Sequence, residues 1–95
     1  MAAYLIAQIG EVRDPAAMNE YRAKIGATLE KYGGKFLVRG GQCHPVEGNW
    51  QPRLVIIEFP SVEQAHAWHD CAEYAPLVEI RQRAQDTQVI IAAGV

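Results

Sequence analysis

His66 and His69 stand three residues apart, a spacing that makes two side chains neighbours on a helix. At about 100° per residue, His69 flanks the arc holding Val62, Ala65 and Trp68, while His66 turns toward solvent. A metal would need further ligands. Neither Cys43 nor His44 is tied to the pair by any spacing, so no metal is expected. Imidazole titrates near neutrality, which makes His69 a candidate general base or ligand contact, with a partly buried structural histidine as the plain alternative.

Arg39 and Glu58 form a second constellation. With a hairpin centred near Gly48-Asn49, they lie almost opposite each other on adjacent strands and point the same way. Such a pair stabilises by about 0.2–1 kcal/mol, and within a cleft it would also orient a ligand. Arg81 falls among Tyr74, Leu77 and Val78, inside the apolar arc of a helix. Either its stem lies along the edge of the core, or its guanidinium holds a carboxylate, that of Glu58 or one on a ligand. Trp50 ends a long loop with no core of its own, where it anchors a partner, roofs a pocket or packs on that loop. Tyr4 offers a hydroxyl on a sheet face, for a ligand or for packing alone. The ligand-binding candidates are thus Tyr4, Arg39, Trp50, Glu58, His69 and Arg81. Cys71, near a helix C-terminus, gains no thiolate stabilisation from that end of the dipole. No Ser-His-Asp order, phosphate-cradling glycine loop or dinucleotide fingerprint is present, so no reaction is assigned and no cofactor is expected.

Strands and helices must position these groups. Residues 3–10 alternate with the period of a strand. Asp14-Pro15 then opens a helix, with Asp14 able to cap the free N–H groups and Pro15 suited to the first position. Met18, Tyr21, Ile25, Leu29 and Tyr32 form its apolar stripe, and Gly33-Gly34 ends it. Lys35–Cys43 and Arg53–Phe59 read as strands joined by a long loop. Ser61 and Gln64 have capping-box spacing for a helix to about Asp70. A further helix covers roughly 73–83, with Pro76 in its first turn, and Thr87–Ala93 is the last strand. The order strand, helix, strand, strand, helix, strand is the split βαβ pattern of an α+β, ferredoxin-like fold with a four-stranded antiparallel sheet.

The helices can cover only one face of that sheet. Leu5, Ala7, Ile9, Phe36, Val38, Val55, Ile57, Phe59, Val89 and Ile91 belong beneath them. The opposite face collects Tyr4, Ile6, Leu37, Leu54, Ile56 and Ile90 along with Gln8, Arg39 and Glu58. A solvated face normally alternates to polar residues, and an apolar patch of this kind calls for a partner. A two-fold homodimer is the economical answer.

Ninety-five residues suit one domain and are too few for two cores. The 49% hydrophobic and 21% charged fractions are those of a globular chain. A net charge of −2 with interspersed signs argues against nucleic acid as a partner. No stretch approaches the roughly 20 apolar residues of a membrane helix, and the start of the chain lacks the basic region of a signal peptide. Cys43 and Cys71 read as free thiols in a reducing, cytoplasmic setting.

Tyr32-Gly33-Gly34-Lys35-Phe36-Leu37-Val38-Arg39-Gly40-Gly41, Glu47-Gly48-Asn49-Trp50 and Arg53 through Glu58-Phe59-Pro60-Ser61 resemble the domain of unknown function 1330 family. Ala67-Trp68, Glu73-Tyr74 and Arg81 continue the match over essentially the whole chain. The resemblance implies a ferredoxin-like, dimeric α+β barrel, related in architecture to small cofactor-independent oxygenases and isomerases; it brings no activity with it. The chain departs from the family pattern at His69, where Tyr is common, and at Cys71-Ala72, where Ser-Pro is. Two functions follow as expectations. One is a dimeric module binding a small molecule in a cleft near the interface. The other is a cofactor-independent enzyme using Arg39, Glu58, His69 and Arg81.

Overall fold

In the computed structural model, which describes residues 1–95, the chain folds around its first strand. Alternation in β1 (Ala3–Val12) buries Ala3, Leu5 and Ala7 on one face and leaves Tyr4, Ile6 and Gln8 half-buried on the other. β1 pairs antiparallel with both β3 (Arg53–Phe59) and β4 (Gln85–Ala93). β2 (Lys35–Gln42) lies outside β3, giving the order β2-β3-β1-β4 of a ferredoxin-like sheet.

The helices start where capping chemistry allows. For α1 (Pro15–Glu30), an Asp14 carboxylate oxygen accepts from Ala17 N at 3.1 Å. Ser61 Oγ accepts from Gln64 N at 3.1 Å ahead of α2 (Val62–His69), forming the serine half of the expected capping box. Pro76 sits in the first turn of α3 (Ala75–Ala84), where its missing N–H costs nothing. α1 ends at Glu30, and the turn after it leads into β2 through Gly33, whose φ of 72° is open to glycine without strain. Both outer strand limits run beyond the alternation read from sequence: β1 reaches Val12 and β4 begins at Gln85, and these two residues pair.

β2 departs from expectation. Phe36 pairs with Ile57 and Val38 with Ile56, so Leu37 is an extra residue. Gly40, at φ 75°, is a second extra residue between the Arg39–Val55 and Gly41–Leu54 pairs. Side-chain direction alternates along a strand, so one inserted residue reverses every assignment after it. Arg39 therefore lies on the helix-facing side and Val38 on the open side, the reverse of the sequence reading. Arg39 and Glu58 do not meet. Glu58 pairs in register with Lys35 and Tyr4, and its carboxylate lies 3.2 Å from Lys35 Nζ.

The inner core is solid at one end. Trp68, Phe59 and Ile57 are fully buried. The Trp68 ring lies 5.6 Å from Phe59 and 3.9 Å from Tyr74, and its Nε1–H donates to Thr28 Oγ1 at 2.9 Å. A Cβ on Gly34 would stand 2.8 Å from both Leu29 and Phe59, so the strand start needs glycine for this approach. Toward the other end α1 packs on α3 more closely than on the sheet, and a hollow opens beneath it.

Candidate functional site

That hollow has a volume of about 420 Å³. Leu5, Ala7, Val55 and Ile57 form its floor on the sheet, and Met18 and Ile25 of α1 form its roof. Its charged side chains are four arginines, Arg22, Arg39, Arg53 and Arg81, and no aspartate or glutamate lines it. A pocket of this size with mostly apolar walls and a few polar groups has the usual character of a small-molecule site.

Arg81 is the most constrained of the four. It is only 7% exposed, and its Nε–H, fully shielded from water, has no hydrogen-bond partner. The apolar arc of α3 carries it inward beside buried Leu77 and Ala84. Glu58, the protein carboxylate considered for it in the sequence, is held by Lys35 on the far face of the sheet. Arg81 also borders a second, wholly polar hollow of about 270 Å³ with Gln8, Gln85, Thr87 and Asp86 among its walls, the Asp86 carboxylate being paired with Arg13.

Next to Arg81, the hydroxyls of Tyr21 and Tyr74 lie 2.5 Å apart. Burial, reinforced by the Tyr74 hydroxyl, holds the Tyr21 phenol well above its ordinary range, with Arg81 pulling weakly the other way. In such a pair one hydroxyl donates to the other, and one O–H hydrogen remains free for a further acceptor. The rings meet edge to face, with centroids 6.2 Å apart.

The other arginines frame the β2–β3 side. The Arg39 guanidinium stacks 4.4 Å over the Phe36 ring and donates to Arg22 O at 3.4 Å. Arg53 donates to Gly40 O at 3.0 Å. His69, half-buried on the last turn of α2, lines the hollow with its ring 6.0 Å from that of Tyr74. Its Nδ1 lies 3.1 Å from an Asp70 carboxylate oxygen.

Of the sequence candidates, Arg39, His69 and Arg81 thus converge on one cavity. Tyr4 and Glu58 lie together on the open face of the sheet. Trp50 is 55% exposed and donates from Nε1 to Glu47 O at 2.6 Å, packed on its own loop. Sequence reasoning missed Tyr21 and Tyr74 as a pair. The available signal was two tyrosines on apolar helix faces, whose hydroxyls need partners once buried. No group of three His, Cys, Asp or Glu converges in a way that would hold a metal ion, and no helix is long and apolar enough to cross a membrane.

The chain is similar in structure to a protein of unknown function from Rhodopseudomonas palustris, RPA0582, at 24% identity and a TM-score of 0.72, covering 99% of this chain and 82% of that one. A dimeric protein of unknown function and ferredoxin-like fold from Bacteroides fragilis matches at 16% identity and a TM-score of 0.65, over 98% of this chain and 96% of that one. SnoaB, a cofactor-independent oxygenase from Streptomyces nogalater, matches at 11% identity and a TM-score of 0.69, over 99% of this chain and 93% of that one. At these identities the likeness is one of fold. No curated protein matches the sequence. The family model named Domain of unknown function (DUF1330) matches residues 2–95, and the chain belongs to that family.

Proposed function

We propose that the chain binds a small molecule with an apolar body and a carboxylate, seated in the cavity between α1 and the sheet. The observation that carries this reading is the buried Arg81 guanidinium with its unpartnered Nε–H. A buried charge is costly unless paired, and nothing acidic lines the cavity. A ligand carboxylate would supply the missing charge and accept in the fork geometry a guanidinium offers. The apolar floor would take up the body of the ligand.

The test is calorimetric titration of the protein with branched and aromatic carboxylates beside their primary amides. Carboxylates should bind and the isosteric amides should not. Arg81→Met should abolish carboxylate binding while the fold persists, since an apolar side chain of similar length relieves a buried charge. Equal affinity for acids and amides would exclude the reading.

The protein acts, on this reading, as a homodimer joined through the open face of the sheet. Ile90 and Leu37 are 59% and 51% exposed there, beside half-buried Tyr4, Ile6, Val38, Leu54 and Ile56. A largely apolar face of this kind favours association, and similar proteins from Bacteroides fragilis and Thermobifida fusca are described as dimeric. Light scattering should give twice the chain mass, and Ile56→Asp should halve it. A cytoplasmic setting suits the two free thiols, Cys43 and Cys71.

A further inference from the structure

His69 does something that carboxylate binding does not require. Its Nδ1 faces the Asp70 carboxylate at 3.1 Å. A carboxylate only accepts hydrogen bonds, so Nδ1 carries the proton and the neutral ring keeps its lone pair on Nε2. A histidine held in this tautomer is arranged as a base. It stands on the wall of the same cavity as the Tyr21–Tyr74 hydroxyl pair and Arg81.

We infer that this cavity enolises a 2-oxo carboxylate that carries hydrogen on C3, with His69 as the base and the tyrosine pair as the donor to the developing enolate. The inference rests on the carboxylate-binding reading. Two neighbouring donor sets, a guanidinium and a phenol, match two neighbouring acceptors, a carboxylate and the carbonyl oxygen next to it. With the carboxylate on Arg81 and the C2 carbonyl oxygen at the free tyrosine O–H, C3 is the next atom along the ligand. His69, its ring 6.0 Å from that of Tyr74, flanks this region. The remaining apolar substituent lies along Leu5, Val55 and Ile57.

The step balances without any further reagent. His69 Nε2 takes the C3 proton. The C–H electron pair becomes the C2–C3 double bond, and the carbonyl π pair moves to oxygen. The enolate oxygen accepts the tyrosine hydrogen bond, and the imidazolium returns its proton to C3, or the oxygen is protonated to release the enol. Burial keeps Tyr21 neutral, so the pair stays a donor at the pH where imidazole can act as a base.

The probe is 4-methyl-2-oxopentanoate in D2O, with loss of the C3 proton signal followed by NMR and binding followed by calorimetry. The wild-type protein should accelerate exchange by about 100-fold or more over buffer. His69→Gln should bind the probe as wild type does yet exchange at the buffer rate. His69→Asn serves as a second variant, and retained binding by either one shows an intact fold. Arg81→Met should lose both binding and exchange. Wild-type protein that binds the probe without exchange, or a His69→Gln protein that exchanges at full rate, overturns the inference and leaves carboxylate binding standing. If wild type binds neither this probe nor any other carboxylate, both readings fall together.

Discussion

The two ends of the layer between sheet and helices are built from similar apolar residues, yet one is solid and the other hollow. At the solid end Phe59 and Leu29 close on Gly34, with no room for a single added carbon. At the hollow end α1 leans on α3, and Arg81, Tyr21 and Tyr74 occupy positions that a stability-driven core would give to aliphatic side chains. Close packing contributes most of the last few kcal/mol of a native state, so a core this small that leaves one end open gives up stability there. The difference teaches where function sits. The solid end holds the fold, and the hollow end is free to vary its chemistry.

Substitutions should separate the two ends. Trp68→Ala, where the solid end borders the hollow, removes the largest fully buried side chain and the Thr28 hydrogen bond. It should cost about 3–5 kcal/mol in urea unfolding. Gly34→Ala adds one carbon against Leu29 and Phe59 and should cost about 1–3 kcal/mol by overpacking. At the hollow end the same kind of change should be mild: Ala7→Leu projects into empty volume and should shift stability by less than about 1.5 kcal/mol while blocking carboxylate binding. A loss for Ala7→Leu as large as that for Gly34→Ala would mean that the two ends are packed alike, and the contrast would fail.

The solid end is also the part most legible in the sequence. Ser61 and Gly33-Gly34 are local cap signals acting within a few residues, as is Asp14-Pro15 at the other end of α1, and alternation holds through β3 and from Ala3 to Ile9 of β1 before the register shifts. The structure follows them closely. β2 broke the reading because alternation is a count, and the extra residue at Leu37 resets the count. Gly40-Gly41 hinted at a bulge, but no glycine marks Leu37. Arg39 and Glu58 were thus placed together when the folded chain puts them on opposite faces. Arg81 was visible as a charge inside an apolar arc. The Tyr21–Tyr74 pair was not, because it joins residues 53 apart through the packing of α1 on α3, which no local pattern encodes.

The finest test of the contrast is alkaline. Tyr21 has its phenol raised above the ordinary value of 10.0, first by burial and then by Tyr74. In the unfolded chain this phenol ionises near pH 10, while in the folded state it stays neutral. The unfolded state therefore releases the proton first, and stability is whole below about pH 10 and falls as pH rises above it. Between pH 10 and 11 this one group should remove about 1 kcal/mol. Tyr21→Phe removes the titrating group, and with it that part of the alkaline slope. The other tyrosines remain in both proteins, and the lost hydrogen bond to Tyr74 shifts the Phe variant's stability already at neutral pH. The slope of urea stability between pH 9 and 11, rather than its level, is therefore the quantity to compare. Equal slopes in the two proteins would mean that water reaches the Tyr21 hydroxyl freely, and the hollow end would then be an open groove rather than a sheltered site.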